Sequence, residues 1–160
     1  MKINYVKGDA TNPIVKDGTT AIIPHVCNIN GGWGAGFVLA LSKKWKQPER
    51  RSRQWCKSQD DFCLGAIDMV MVEKNIYVAN MLAQNGYLSE DNPQPLDYPG
   101  LELCMIAVAE WFVDMNVEIH GPQFGNLRAG GKWEIIEKMI EDIWIANGIP
   151  VTIYLWEGEK

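Results

Sequence analysis

The hydrophobic positions of this chain repeat with two periods, one typical of β-strands and one typical of α-helices. Alternating or continuous apolar runs predict strands at residues 2–7, 20–26, 67–72, 76–81, 117–120 and 151–155. Helices are predicted at about residues 38–45, 49–58, 99–115 and 135–143. Because strands alternate with helices, we predict the α/β class and a three-layer αβα sandwich. A turn-like interval separates 67–72 from 76–81 and predicts a hairpin, which makes the central sheet mixed.

Length and composition narrow the class further. A chain of 160 residues with 47% hydrophobic residues suits one compact domain, so a single domain is expected over residues 1–160. Neither a signal peptide nor a run of ~18 apolar residues is found, which predicts a cytoplasmic protein without a membrane partner. The four cysteines form no C-x-x-C pair, so no metal is expected. We expect no cofactor, and we expect a monomer.

Charge is distributed unevenly along the chain. The net charge of −5 argues against nucleic acid as a partner. Residues 43–57 nevertheless contain seven of the 15 basic residues, with Trp45 and Trp55 interleaved among them. Two interpretations stay open for this segment: a solvated helix face, or a surface for RNA or another polyanion.

A glycine-rich stretch at residues 25–38 connects the second predicted strand to the first predicted helix. Glycine tolerates positive φ and lets a ligand approach the backbone, and a helix N-terminus offers free N–H groups to an anion. The stretch therefore predicts an anion-binding loop, with a plain glycine-rich connector as the alternative. Its spacing matches neither the nucleoside-triphosphate motif G-x-x-x-x-G-K-[ST] nor the dinucleotide motif G-x-G-x-x-G.

A second glycine-rich loop, residues 121–131, also follows a predicted strand and precedes a predicted helix. Ligands of open α/β sheets bind at the carboxyl ends of the strands, so we expect the two loops to form one cleft. A diphosphate would fit between two helix N-termini. Asp9 follows the first strand and could accept a hydrogen bond from the same ligand.

Three motifs in this order resemble the macrodomain family: Gly8-Asp9-Ala10-Thr11, His25-Val26-Cys27-Asn28 with Gly32-Trp33-Gly34-Ala35-Gly36, and Gly121-Pro122-Gln123-Phe124-Gly125 with Ala129-Gly130-Gly131-Lys132-Trp133. The closer resemblance is to ADP-ribose 1''-phosphate phosphatases and related ADP-ribosyl hydrolases. It implies the fold predicted above and a pocket for ADP-ribose.

The resemblance also implies roles for single residues. Asp9 would bind the adenine amine, Asn28 would meet the distal ribose, and Trp156 or Leu155 would lie against the adenine. The implied ligand-binding set is Asp9, Ala10, Asn28, Gly32, Trp33, Gly34, Ala35, Gly36, Phe37, Gln123, Phe124, Gly125, Asn126, Leu127, Arg128 and Trp156. Macrodomains that remove ADP-ribose from glutamate resemble one another in having a catalytic lysine and an aspartate at two positions. At those positions this chain has Gln84 and Ala129. The mechanism that uses those two residues is therefore not expected. Arg128 and Lys132 make this side of the site more cationic than in relatives.

For catalysis we predict His25 as general acid or base and Asn28 as the group that orients ribose or water. The alternative for His25 is a buried histidine bonded to a backbone carbonyl. His120, Asp97 and Cys27 are weaker candidates, with a strand-end residue, a helix cap and core packing as their respective alternatives. The predicted function is hydrolysis of ADP-ribose 1''-phosphate. A hydrolase of ADP-ribosylated protein or nucleic acid and a non-catalytic ADP-ribose reader remain as alternatives.

Overall fold

The computed structural model describes residues 1–112 and 115–156. In chain order the strands and helices are β1 (Asn4–Lys7), β2 (Thr20–Asn28), α1 (Phe37–Lys44), α2 (Gln47–Ser58), β3 (Ile67–Glu73), β4 (Ile76–Gln84), α3 (Tyr98–Trp111), β5 (Val117–Gly121), α4 (Trp133–Ile143) and β6 (Val151–Leu155). The strands form one six-stranded sheet in the order β1-β6-β5-β2-β4-β3. Only β3 pairs antiparallel, with β4, which confirms the predicted hairpin and the mixed sheet.

Two hydrophobic cores, one on each face of the sheet, give the three layers. Ile22 of β2 packs in the core that α3 and α4 cover. Its neighbour Ile23 packs in the second core, with Leu41 of α1 and Trp45. A central parallel strand buried on both faces is expected to be continuously apolar, as β2 is through Ile23. The predicted α/β sandwich is confirmed.

The predicted third helix is too long at its carboxyl end. Helix α3 ends at Trp111, where Phe112 leaves helical geometry with φ −118° and ψ 38°. The Met115 amide donates to the Phe112 carbonyl in a turn, and the Met115 side chain is 55% exposed. Met115 continues the helical periodicity of apolar residues in the sequence, although it lies beyond the end of α3. Residues 113–114, which the prediction also includes, lie outside the described residues.

Helix α2 begins at Gln47, two residues before its predicted start. Pro48 therefore lies in its first turn and does not separate two helices. This placement is favourable because the first turn needs no N–H group from that residue. Among the described residues, none of the helices is long and apolar enough to cross a bilayer.

The parallel strands end at a common edge of the sheet. The segments that leave this edge are the β1–β2 connection from Gly8, the β2–α1 loop (residues 29–36), the β4–α3 loop (residues 85–97), the β5–α4 loop (residues 122–132) and Trp156 after β6. Every segment that the sequence predicts around a ligand thus leaves the sheet at one end.

Candidate functional site

The two glycine-rich loops contact each other. A Cβ added to Gly36, at the end of the β2–α1 loop, would lie 3.1 Å from Cδ and 3.3 Å from Nε of Arg128. Arg128 belongs to the β5–α4 loop and is exposed. Because β2 and β5 are neighbouring strands, their loops leave the sheet side by side. The structure therefore brings a cation next to the first turn of α1.

The β2–α1 loop presents free backbone amides. Gly34 and Ala35 are exposed, and among the described residues their N–H groups donate no hydrogen bond. Gly36 is the N-cap of α1 with φ 82°, and no side chain caps the helix. An uncapped helix N-terminus carries a partial positive charge and unsatisfied donors. This segment has the properties of an anion site.

The β5–α4 loop is held by its own backbone and by the β4–α3 loop. The Gly131 amide donates to the Gly125 carbonyl at 3.0 Å, and the Leu96 amide donates to the Ala129 carbonyl at 2.8 Å. Leu127 protrudes between these anchors, 79% exposed and with φ 51°. A positive φ is unfavourable for leucine, so the anchored loop maintains a strained conformation at its tip.

Asp9 has one carboxylate oxygen engaged and one available. Its Oδ1 accepts hydrogen bonds from the amide of Thr11 at 2.8 Å and from the Thr11 hydroxyl at 2.7 Å. Among the described residues, Oδ2 has no hydrogen-bond partner. A ligand amine could therefore bind Oδ2 without breaking the local turn. The adenine role of Asp9 stays a prediction.

The β4–α3 loop forms a third wall that the sequence reasoning missed. A Cβ added to Gly32 would lie 2.3 Å from the hydroxyl of Tyr87, so the tyrosine covers the start of the glycine loop. Tyr87 is 62% exposed and lies where the loop leaves β4. The length and polarity of residues 85–99 are typical of a functional loop, but these properties do not reveal what the loop contacts.

His25 does not lie on the cleft surface, and its predicted role as general acid or base is not supported by this position. The side chain is 2% exposed and packs against the rings of Trp33 and Phe37. Its Nε2 lies 2.5 Å from Oδ1 of Asn80. Burial lowers the pKa of His25 to about 4, although the bond to Asn80 opposes this shift. The buried alternative describes His25 better, with a side-chain amide in place of a carbonyl.

Asn28 is also occupied by the protein itself. Its Oδ1 accepts from the amides of Asn30 and Gly86, both at 3.1 Å, and its Nδ2 donates to the Gly86 carbonyl at 2.7 Å. Asn28 is 6% exposed. These bonds fasten the β2–α1 loop to the β4–α3 loop. We therefore interpret Asn28 as a residue that joins two loops, and its ribose or water contact stays a prediction.

Three side chains of the predicted ligand set are core residues. Ala10 is buried, Trp33 packs with its Nε1 donating to Ser42 at 2.7 Å, and Phe124 packs between Trp133 and Trp144. The contact of Phe124 with the ligand stays a prediction. Asn28 and Gly125 are also buried. The other members of the set are half-buried or exposed, and Trp156 is 56% exposed.

In the structure, the weaker catalytic candidates have the non-catalytic roles that were given as their alternatives. Asp97 caps α3 by accepting from the Gly100 amide at 2.8 Å. His120 is buried between the Tyr154 hydroxyl and Glu118, and burial lowers its pKa. Cys27 is buried, which raises its thiol pKa and keeps it unreactive. Within residues 1–112 and 115–156, no group of three or more His, Cys, Asp or Glu side chains could hold a metal ion.

Known proteins resemble this chain in sequence and fold over nearly its whole length. A protein from Bacteroides thetaiotaomicron is 47% identical and has a TM-score of 0.91, covering 96% of this chain and 98% of that chain. A macrodomain protein from Streptomyces coelicolor is 42% identical, with a TM-score of 0.84 and coverages of 96% and 99%. The ADP-ribose 1''-phosphate phosphatase of Candida albicans is 27% identical over 158 residues, covering 88% of this chain and 92% of the phosphatase. No protein-family model matches the chain.

Proposed function

The chain belongs to the macrodomain family, and from this premise we propose that it binds ADP-ribose and hydrolyses ADP-ribose 1''-phosphate to ADP-ribose and phosphate. The observation that carries the proposal is the pairing of the uncapped α1 N-terminus at Gly36 with the cationic side chain of Arg128. The distant similarity to a phosphatase of that substrate agrees with it.

Binding of the diphosphate would use backbone amides and one exposed cation. Gly34 and Ala35 offer free N–H groups to one side of the anion, and Arg128 approaches from the facing loop. Arg128 has no carboxylate partner among the described residues, so binding a phosphate breaks no ion pair. Guanidinium groups bind phosphate oxygens through two parallel hydrogen bonds, which would orient the ligand.

At the adenine end, Asp9 would accept a hydrogen bond from the exocyclic amine through its free Oδ2. The exposed ring of Trp156 would lie against the base. Both groups leave the sheet at the same edge as the two loops, at the ends of the paired strands β1 and β6. The ligand would therefore extend along that edge from these two residues to the glycine loops.

Hydrolysis would replace the bond between phosphorus and the 1''-oxygen by a bond to the oxygen of water. The transition state of phosphoryl transfer is loose, so positioning and charge stabilisation contribute most of the rate enhancement. Arg128 and the loop amides would supply that stabilisation. The reaction then needs no proton transfer by His25, whose burial removes it from the cleft.

A second function, a non-catalytic ADP-ribose reader, is favoured by a specific observation. The side chains predicted to handle a proton or water are all bonded within the protein, namely His25, Asn28, Asp97 and His120. A reader would keep the same binding contacts and turn over no substrate.

Phosphate release from ADP-ribose 1''-phosphate, measured beside calorimetric titration with ADP-ribose, separates these functions. We expect binding and turnover in the native chain, with both reduced in Arg128→Ala. The matched control is Lys138→Ala, which removes an exposed cation of α4 that pairs with Asp142. Binding without phosphate release would establish the reader, and the absence of binding would contradict both functions.

A further inference from the structure

The basic residues of this acidic protein are concentrated in one segment, which runs from the end of α1 through α2. Residues 43–57 contain seven of its 15 lysines and arginines and one of its 20 acidic residues. The rest of the chain is therefore strongly acidic. Such an asymmetry creates a local positive potential that the net charge of −5 conceals.

Four of these cations line one face of α2. Lys46, Arg50, Arg53 and Lys57 follow one another at steps of four, three and four residues, which places them on the same side of a helix. With Glu49 and Gln54 they surround a shallow depression of about 490 Å³. At the rise of an α-helix the row extends over about 16 Å. We call these four residues the α2 basic row.

Other charged side chains near the row bind partners within the protein. Arg51 forms a two-pronged ion pair with Asp68, and Lys44 donates to the Thr11 carbonyl at 2.7 Å. The Glu49 carboxylate accepts from Ser42 and Arg53, which lowers its pKa. Among the described residues, Lys46, Arg50 and Lys57 have no carboxylate within ion-pair distance.

We propose that the α2 basic row binds the phosphate backbone of nucleic acid. A regular line of four cations, of which only Arg53 has an acidic partner among the described residues, complements a regular line of phosphates. Binding would release the counterions of the nucleic acid. The depression contains no exposed aromatic or aliphatic side chain. Protein partners usually need such an anchor, so the row favours nucleic acid over an acidic protein.

The two tryptophans of the segment predict how the nucleic acid is recognised. Trp45 is buried, and its Nε1 donates to Glu73 at 2.9 Å. Trp55 stacks edge-on against Phe62, and its Nε1 donates to the Asp60 carbonyl at 2.8 Å. Trp45 has no exposed face for a base, and the Trp55 ring is half-buried and held by these contacts. Binding should therefore be independent of sequence and should not require single strands.

The α2 basic row lies beside the proposed ligand site. A Cβ added to Gly31 would lie 2.6 Å from the sulfur of Cys56, so α2 packs against the start of the β2–α1 loop. Lys57, the last cation of the row, is the next residue. A polyanion bound along α2 would thus reach the rim of the cleft. The proposal itself does not depend on ADP-ribose binding.

Fluorescence anisotropy with a labelled DNA duplex of about 20 base pairs tests the proposal over a series of salt concentrations. For the native chain we expect dissociation constants of about 1–100 µM, and a slope of log K against log salt between about −3 and −4. The double variant Arg50→Gln/Lys57→Gln should bind at least about tenfold more weakly, with a slope less negative by about two. The control Lys74→Gln/Lys138→Gln removes two exposed cations elsewhere and should bind like the native chain.

Calorimetric titration with ADP-ribose on the same variants separates this proposal from the proposed function. The Arg50→Gln/Lys57→Gln variant should retain its affinity for ADP-ribose, which also verifies its fold. Absence of duplex binding at low salt, or equal binding by the double variant and the control, would overturn the proposal. Tighter binding of polyglutamate than of duplex would overturn it in favour of an acidic protein partner.

Discussion

The Arg128 side chain lies against Gly36 at the point where α1 begins, so that a Cβ on the glycine would be 3.1 Å from the arginine Cδ. The two residues come from different loops, 92 positions apart in the sequence numbering. Their contact places an exposed positive charge beside unsatisfied amides, which is the combination an anion needs. The contact between Gly36 and Arg128 requires that residue 36 has no side chain.

Gly36→Ala should therefore weaken ADP-ribose binding by at least about tenfold, or about 1.4 kcal/mol. The new methyl group would displace Arg128, and alanine at φ 82° is strained. Gly148→Ala is the matched control, because Gly148 has φ 80° and nothing within 4 Å of an added Cβ. Gly148→Ala should lose about 1–2 kcal/mol of unfolding free energy in its left-handed conformation. Gly36→Ala should lose up to about 3 kcal/mol, because ψ −145° places Gly36 near a region that is essentially restricted to glycine. Calorimetry should find weaker binding in Gly36→Ala alone, and equal affinities would refute the role of this contact.

Asp9→Asn should reduce the preference for adenine without reducing stability. The asparagine Oδ1 can still accept from the amide and hydroxyl of Thr11, as the aspartate does. Its amide group replaces the free oxygen and would place a donor against the donating adenine amine. We expect about tenfold weaker binding of ADP-ribose and equal or tighter binding of the hypoxanthine analogue, which has a carbonyl acceptor in place of the amine. A parallel loss for both ligands would contradict the adenine contact.

Asn28→Ala should act on stability and on the β4–α3 loop. The variant removes three hydrogen bonds and leaves the amides of Asn30 and Gly86 without their acceptor, while the Gly86 carbonyl keeps only its bond from Gln84. We expect a loss of about 1–3 kcal/mol of unfolding free energy and faster proteolysis within residues 85–97. Gln84→Ala is the control, since it removes a single bond to the Gly86 carbonyl. Unchanged stability with lost turnover would instead support the catalytic role first predicted for Asn28.

The fold could be predicted from the sequence because the hydrophobic pattern and the turn signals indicate the same architecture. The apolar run of β2 required cover on both faces, and the hairpin at Lys74 required an antiparallel edge. The end of α3 could not be predicted, because Met115 keeps the helical period while the backbone has already turned at Phe112. Periodicity records which residues are apolar and carries no information on where the chain changes direction.

The candidate site could be predicted as a place but not as a set of side chains. Glycine density and strand ends located the two loops, since these depend on local sequence and topology. The direction of each side chain depends on tertiary packing. His25 turns into the core between Trp33 and Phe37, and Phe124 turns towards Trp133, because their strand and loop positions face the helices. Tyr87 was missed because a contact over Gly32 leaves no trace in its neighbours along the chain.

The pH dependence of stability should report the burial of His25. Burial lowers its pKa from 6.5 to about 4 in the folded protein, so the unfolded chain binds the extra proton between these values. The stabilisation is complete above about pH 6.5 and is lost as the pH falls towards about 4, with a total of about 3 kcal/mol. In His25→Gln this part of the pH dependence should disappear, while the glutamine amide can still donate to Asn80.

Urea unfolding at about pH 7.5 and about pH 4.5 measures the difference. On this acidification the native protein should lose about 2–3 kcal/mol more unfolding free energy than His25→Gln. His120→Gln is the comparison, because Glu118 beside His120 opposes the lowering of its pKa and the effect should be smaller. Equal losses in the native chain and His25→Gln would mean that His25 titrates normally. An exposed, titrating histidine would in turn restore it as a candidate for proton transfer in the cleft.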